Sequence, residues 1–423
     1  MRAETELEDG RDVLGRFWLA EKIDERSHVA PGVLRWSRSD GATLRLIGPL
    51  DDWPRQPGGK VTVQGETVTG DDVTLMDALV ISTALGGRAT VSIAGSTLLL
   101  GQRATTETRW RRIVVRTANF HEWLPETGLG APDDVIDKSG RPTRLTATWE
   151  LPPTRQVKLA RGTLVISPAM ATEVSYAPSW SIRTNLDASV TTRREITLDD
   201  LHSSFVVPIL SLLIFASDRP DAITSEVVLD PSADTRARVL RRGEPITPRE
   251  WRPDRAYLFS GLDLPNLDYA VKRWFEIFDA TRPVLGTFSE TINMGAVYSP
   301  ERLVKVATCL ESYATRWLRL KRRSLLERLE ALQTYARLPA KVTGSTTRNL
   351  KLLAASRHYF AHLNKPNYGF TPRVIEKNAF ETTRRATALM QACLMRDLGF
   401  TPSVARTLLE EHYANWPIPR KVG

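Results

Sequence analysis

The chain has 423 residues, 42% of them hydrophobic and 25% charged, and at roughly 100–200 residues per domain it has room for two or three domains. Its net charge of +9 is uneven: residues 281–423 hold 23 Lys and Arg against 10 Asp and Glu, while residues 1–280 hold 35 against 39, which excludes a uniformly basic protein. Two cysteines, Cys309 and Cys393, exclude a disulfide scaffold and fit a reducing compartment.

The opening stretch, MRAETELEDGRDVLGRF, is charged throughout and lacks the apolar core of a secretory signal. Strands and turns follow. Val33–Trp36 and Thr43–Ile47 flank Ser39-Asp40-Gly41, a tight hairpin turn. Lys60–Val63 alternates polar and apolar until Gln64-Gly65 breaks it. Val80–Thr83, Thr90–Ile93 and Thr97–Leu100 are short and β-branched, punctuated by Gly86-Gly87 and Gly95. Arg144–Trp149, Gln156–Ala160, Thr163–Ile166 and Thr172–Tyr176 continue the series. Many short strands at near-regular spacing predict a sandwich or barrel-like β domain. Asp51-Asp52 and Asp71-Asp72 read as turn residues, and Trp36, Trp149 and Trp180 as core.

Near residue 197 the pattern changes. Thr197 to Phe215 predicts a buried helix, kinked at Pro208. Its apolar run, Phe205 to Phe215, is 11 residues long and too short to cross a bilayer, so no membrane contact is expected and the compartment is read as cytoplasmic. Two strands (225–229 and 236–240) and a helix over 266–277, striped with Leu267, Val271, Trp274 and Phe275, complete a connector packed on the β domain.

From about 281 the strand signal stops. Ser299-Pro300-Glu301 is a helix start with an N-cap, a proline at the first position and an acid in the first turn. Ser324 to Glu327 reads as a capping box. A third helix runs from Thr346 to Leu363, stopped before Pro366. A fourth ends at Gly399, and a fifth starts at Thr401-Pro402. The expected fold class is α+β multidomain: a β-rich, sandwich- or barrel-like N-terminal domain over 1–280, then an all-α helical bundle over 281–423.

Histidine is scarce, six in all, and two fall in the third bundle helix, in Arg357-His358-Tyr-Phe-Ala-His362. Inside a basic module these residues suit RNA cleavage. An imidazole can take a proton from a ribose 2′-hydroxyl or give one to the leaving oxygen, and a guanidinium can clamp the scissile phosphate. Spacing argues against a simple shared face, because five residues rotate by ~140° along a helix. Either the helix end distorts, or a facing helix or second subunit completes the site. His358 and His362 do not form a metalloprotease pair, since Tyr359 stands where Glu is needed, and no metal or cofactor is expected. Lys321-Arg322-Arg323, with Arg316, Arg319 and Arg328 nearby, is read as a phosphate-tracking patch or a solvated face.

Arg357 to His362 resembles the R-polar-x3-H signature of HEPN domains. The surrounding pieces resemble the ApeA-like branch of antiphage proteins. Tyr298 to Ser312, with Glu311, is similar to its first helix, Ser324–Leu332 to its second, and Leu394–Phe400 to its last. Gly15–Trp18, Pro31–Leu34, Leu201–Ala216 and Lys272–Phe275 are similar to its N-terminal domain. The resemblance implies a metal-independent endoribonuclease of abortive infection that leaves 2′,3′-cyclic phosphate and 5′-hydroxyl ends. It also implies RNA, with tRNA favoured, as substrate, a homodimer through the helical domain, and a phage-derived trigger sensed by the N-terminal domain. In this reading His362 is the general base or acid, Arg357 the phosphate clamp and His358 an orienting residue. The alternatives are a non-catalytic RNA- or nucleotide-binding regulatory module, or a ligand-binding β domain with a structural tail.

Overall fold

The structure is a computed structural model. It describes residues 7, 10–20, 29–47, 58–84, 90–125, 133–136, 142–146, 152–174, 180–230, 235–243, 257–294, 299–363 and 365–414, with single residues at 139, 148 and 150. Asp51-Asp52 and Trp149 lie outside the described residues.

Six strands close a barrel: β1 (Val13–Leu19), β2 (Ala30–Ser37), β3 (Gly41–Ile47), β4 (Lys60–Thr67), β5 (Asp72–Ala84) and β6 (Thr90–Gly95). They pair β1-β4-β5-β6-β3-β2 and back to β1, every pair antiparallel. The expected break at Gln64-Gly65 does not occur, and β4 continues to Thr67. Gly65 is there for space: a Cβ at this position would lie 2.3 Å from the Phe17 ring, which fills the barrel beside it.

Closure turns on β5. Its first half, Val73 to Met76, pairs with β7 (Thr97–Leu100), and its second half, from Leu79, pairs with β6. Between them Asp77 takes a left-handed φ of +46°, in a bulge where Met76 and Asp77 face the single residue Thr62. The bulge bends the strand out of one sheet and into the barrel.

Outside the barrel the sheet continues through β7, β15 (Thr235–Arg241), β14 (Ile223–Asp230), β8 (Trp110–Thr117), β13 (Trp180–Ile196), β12 (Gly162–Val174) and β11 (Arg155–Lys158). The runs 163–166 and 172–176 belong to one long strand as far as Val174, and its 17-residue partner β13 was not anticipated. The strands β14 and β15, expected in a connector, lie inside the sheet and join barrel to outer strands. A further hairpin is formed by β9 (Asp133–Ile136) and β10 (Pro142–Thr146), the latter overlapping the strand expected from 144.

The α1 turn (Phe120–Trp123) and α2 (Leu198–Ser217) cover the outer sheet. Thr197 caps α2, accepting from the N–H of Asp200. Residues His202–Val206 form a π turn just before Pro208, which absorbs the ring that cannot join the α ladder. By length and composition this 20-residue helix is apolar enough to cross a membrane, unlike the 11-residue run read from sequence. Its side chains are nonetheless mostly buried in the core, Leu213, Ile214 and Phe215 among them.

Helix α3 (Leu267–Asn293) is capped by Asn266 and runs across the expected 280/281 boundary, kinking at Thr281 ahead of Pro283. Then come α4 (Pro300–Arg316), α5 (Leu325–Ala336), the α6 turn (Ala340–Thr343), α7 (Thr347–His362), α8 (Pro372–Asp397) and α9 (Pro402–Ala414). The Ser299 cap and the Ser324/Glu327 capping box form as the sequence implies, and Thr346, the expected start of the third helix, is its N-cap.

The barrel encloses its own core, whereas the outer sheet, α2, α3 and the bundle share one continuous core. Trp274 stacks on Phe215, which meets Phe259, which meets Phe400 between α8 and α9. Asp218, the left-handed C-cap of α2, pairs with His412 of α9 at 2.9 Å and accepts from Gln391. Bundle and β region are therefore fastened by both apolar and polar contacts.

Candidate active site

Helix α7 is buried along its first half, from Leu350 to Ser356, and then leaves the bundle. Arg357 to Phe360 are half-buried, and Ala361 and His362 are exposed. The helix stops because Leu363 adopts a left-handed φ of +52° and donates its N–H to the Tyr359 carbonyl. This conformation is uncommon for a branched residue, and it leaves the Leu363 side chain 83% exposed beside His362. The motif thus occupies the last two turns of the helix, at its solvent-facing end.

The rotation of ~140° between Arg357 and His362 is spanned by the length of the arginine side chain. Its Nη1 lies 3.4 Å from His362 Nε2. A guanidinium only donates, so this contact needs a lone pair on Nε2, which places the ring proton of a neutral His362 on Nδ1. Nη2 of the same arginine donates to Glu311 on α4 at 3.3 Å. The facing helix therefore supplies the fixing group that the spacing alone left open. His358 is half-buried, its ring centroid 5.3 Å from that of His362 and tilted by 59°. Tyr359 turns away to α8 and donates to Glu376 at 2.8 Å.

Glu311 has a second partner. Arg328 on α5 donates to its other oxygen at 2.7 Å. Arg328 also holds the Leu320 carbonyl through Nε and the Lys321 carbonyl through Nη2. Its side chain is 14% exposed and its donors are turned inward, so Arg328 is a brace and not part of a phosphate track. The brace ties the α4–α5 turn, where Lys321, Arg322 and Arg323 are exposed, to the carboxylate that holds Arg357.

The structure thus gathers Arg357, His358 and His362 at one helix end, with Glu311 and Arg328 behind them and the basic triplet on the adjoining turn. Sequence reasoning noted Glu311 through the family resemblance and missed the role of Arg328. Its placement depends on three helices meeting, which no local signal in the chain encodes.

The cysteines play no part in this cluster. Both are buried, and burial pushes the Cys309 thiol up to about 12 and the Cys393 thiol higher still, so neither forms a thiolate near neutrality. Among the described residues no third His, Cys, Asp or Glu joins the histidine pair in a metal-ligating group.

Comparison with known families gives two matches. A family model described as ApeA N-terminal domain 1 matches residues 12–274, and one described as Apea-like HEPN matches residues 297–403. No curated protein and no solved structure matches the chain.

Proposed function

The chain belongs to the ApeA-like HEPN family, a defence-related family of nuclease type, and from that membership we propose that it is a metal-independent endoribonuclease acting in the cytoplasm during abortive infection. The observation that carries the proposal is the Arg357 guanidinium, set between His362 and Glu311 at the exposed end of α7.

In the proposed reaction a ribose 2′-oxygen attacks the adjacent phosphorus as His362 accepts its proton. The bond from phosphorus to the 5′-oxygen breaks, and that oxygen leaves with a proton supplied by an acid. The products are a 2′,3′-cyclic phosphate and a 5′-hydroxyl. Arg357, already oriented by Glu311, meets the charge that grows on the non-bridging oxygens. His358 polarises or orients. Two copies of the bundle pair so that both motifs line one cleft, and tRNA is the favoured substrate. The β-rich region receives the phage-derived trigger.

The test is cleavage of total tRNA by the purified chain, with and without extract of infected cells, and mapping of the product ends. His362→Ala and Arg357→Ala are each expected to lower cleavage by about 10²–10⁴-fold, while excess EDTA leaves it intact. Variants that cut as well as the parent would overturn the reading. RNA binding that weakens with salt but yields no new ends would mark a non-catalytic binding module instead.

A further inference from the structure

A second feature of the chain lies away from the α7 end. Between the barrel rim, the β14–β15 hairpin, α2 and the start of the bundle lies a cleft of about 750 Å³. That volume falls within the roughly 300–1,000 Å³ of small-molecule sites. Its walls carry Arg38, Arg238, Arg241 and Arg242 from the β region and Lys305 from α4.

The floor is a fixed polar network. Glu226 is 2% exposed and accepts from both His202 and Arg241, so its charge is already compensated. Arg241 uses Nη1 on Asp199, and its Nη2 is buried without a hydrogen-bond partner among the described residues. Arg38 and Arg242, both exposed at the rim, are steadied by the carbonyls of Ile223 and Ser39. Planar guanidinium forks held in place on several sides of one cleft suit the geometry of phosphate oxygens.

We propose that this cleft binds a small phosphorylated ligand of about nucleotide size. The cleft also joins the two halves of the chain. Lys305 pairs with Glu301 at 2.9 Å and Glu290 at 3.8 Å, and a phosphate competes with these carboxylates for it. Six residues further along α4, roughly 9 Å, stands Glu311, the residue that holds Arg357. Ligand binding therefore bears on the helix that positions the active-site arginine. This regulatory consequence rests on the ribonuclease reading; binding itself does not.

Calorimetric titration of the full chain with ATP and with pyrophosphate tests the site. Saturable binding is expected. Arg238→Ala and the exposed Arg242→Ala should each weaken it about tenfold, the loss of one charge-assisted hydrogen bond, and melting curves confirm that both variants fold. The triple replacement of Lys321, Arg322 and Arg323 by Ala should leave the affinity unchanged. The proposal is overturned if neither probe binds, if the cleft variants bind as the parent does, if the triple variant abolishes binding, or if polyglutamate binds and the phosphates do not. A chain that binds ATP as described yet never cuts RNA would sink the ribonuclease reading and leave the site standing. Cleavage without ATP binding would do the reverse.

Discussion

Two carboxylates in the helical bundle are held in opposite ways. Glu311 sits near the rim, its side chain 25% exposed, between the guanidinium groups of Arg328 and Arg357. Asp397, at the end of α8, is 5% exposed and is met by neutral donors: the hydroxyls of Tyr313 and Tyr335 and the indole of Trp317. Burial pushes the Asp397 carboxyl above its usual range, and it pushes both phenols up as well. A shifted carboxyl often marks a catalytic site, yet here it marks a pin that clamps α4, α5 and α8 together. The proposed chemistry gathers around the other carboxylate, where charges face each other near water. Helix α4 serves both, presenting Glu311 to the rim and Tyr313, two residues on, to the interior.

The pin should break first and hardest. Asp397→Ala strands the buried Tyr313 hydroxyl, the half-buried Tyr335 hydroxyl and an indole N–H, and is expected to cost about 2–4 kcal/mol in a denaturant titration. Asp397→Asn keeps an acceptor and loses the titration. Because the folded carboxyl is raised by burial, the folded state retains a proton that the unfolded chain has released. Its stabilising contribution is full below the unfolded value, near 4, and declines as pH rises through the folded value. Thermal melts of the parent should show this decline, and it should be smaller in the Asn variant, where the buried Asp221 carboxyl, raised to about 6, still contributes its own. Parallel pH profiles for the two would refute the description of Asp397 as a buried, raised carboxyl.

The rim should answer in activity, not stability. Glu311→Gln removes the charge that steadies Arg357 and Arg328 but keeps the size of the side chain. The partly exposed Arg357 pair contributes about 0.2–1 kcal/mol, and the Gln oxygen still accepts from the inward-turned Arg328, so the melting temperature should move far less than with Asp397→Ala. Cleavage should fall by about tenfold through misplacement of the guanidinium, an effect on kcat more than on KM. If Glu311→Gln destabilises the fold as much as Asp397→Ala does, the distinction between rim and pin collapses.

The ease with which each region was read from sequence follows the same division. Ser299, Ser324, Thr346 and Asn266 announce helix starts because capping is local: side chain and backbone partner lie three residues apart. The Arg357–His362 pair was legible too, being five residues apart and in a scarce residue type. The Glu311–Arg357 and Glu311–Arg328 contacts span 46 and 17 residues and depend on how three helices cross. Strand β13 was missed because Thr, Arg and Asp dominate its surface positions, and Leu186, Ala188 and Val190 show as one face only once β8 and β12 flank it. Barrel closure depends on a left-handed Asp77, a position where the sequence offers no glycine to signal it.

The smallest effect is expected at the α4–α5 turn. Lys321, Arg322 and Arg323 are exposed, and the Lys321 carbonyl is tied through Arg328 to Glu311, so the turn rides on the brace that holds Arg357. If these side chains follow the phosphates of a substrate, replacing all three by Ala weakens binding to every RNA alike and leaves the cleavage position unchanged. Single-stranded contacts contribute roughly 0.7 each to the slope of log affinity against log salt, so the slope should shrink by about 2. Filter binding of a catalytically inactive His362→Ala chain, with and without the triple replacement, reads this directly. A slope that does not change confines RNA contact to the α7 end, and the turn is then a solvated face whose only task is to anchor Arg328.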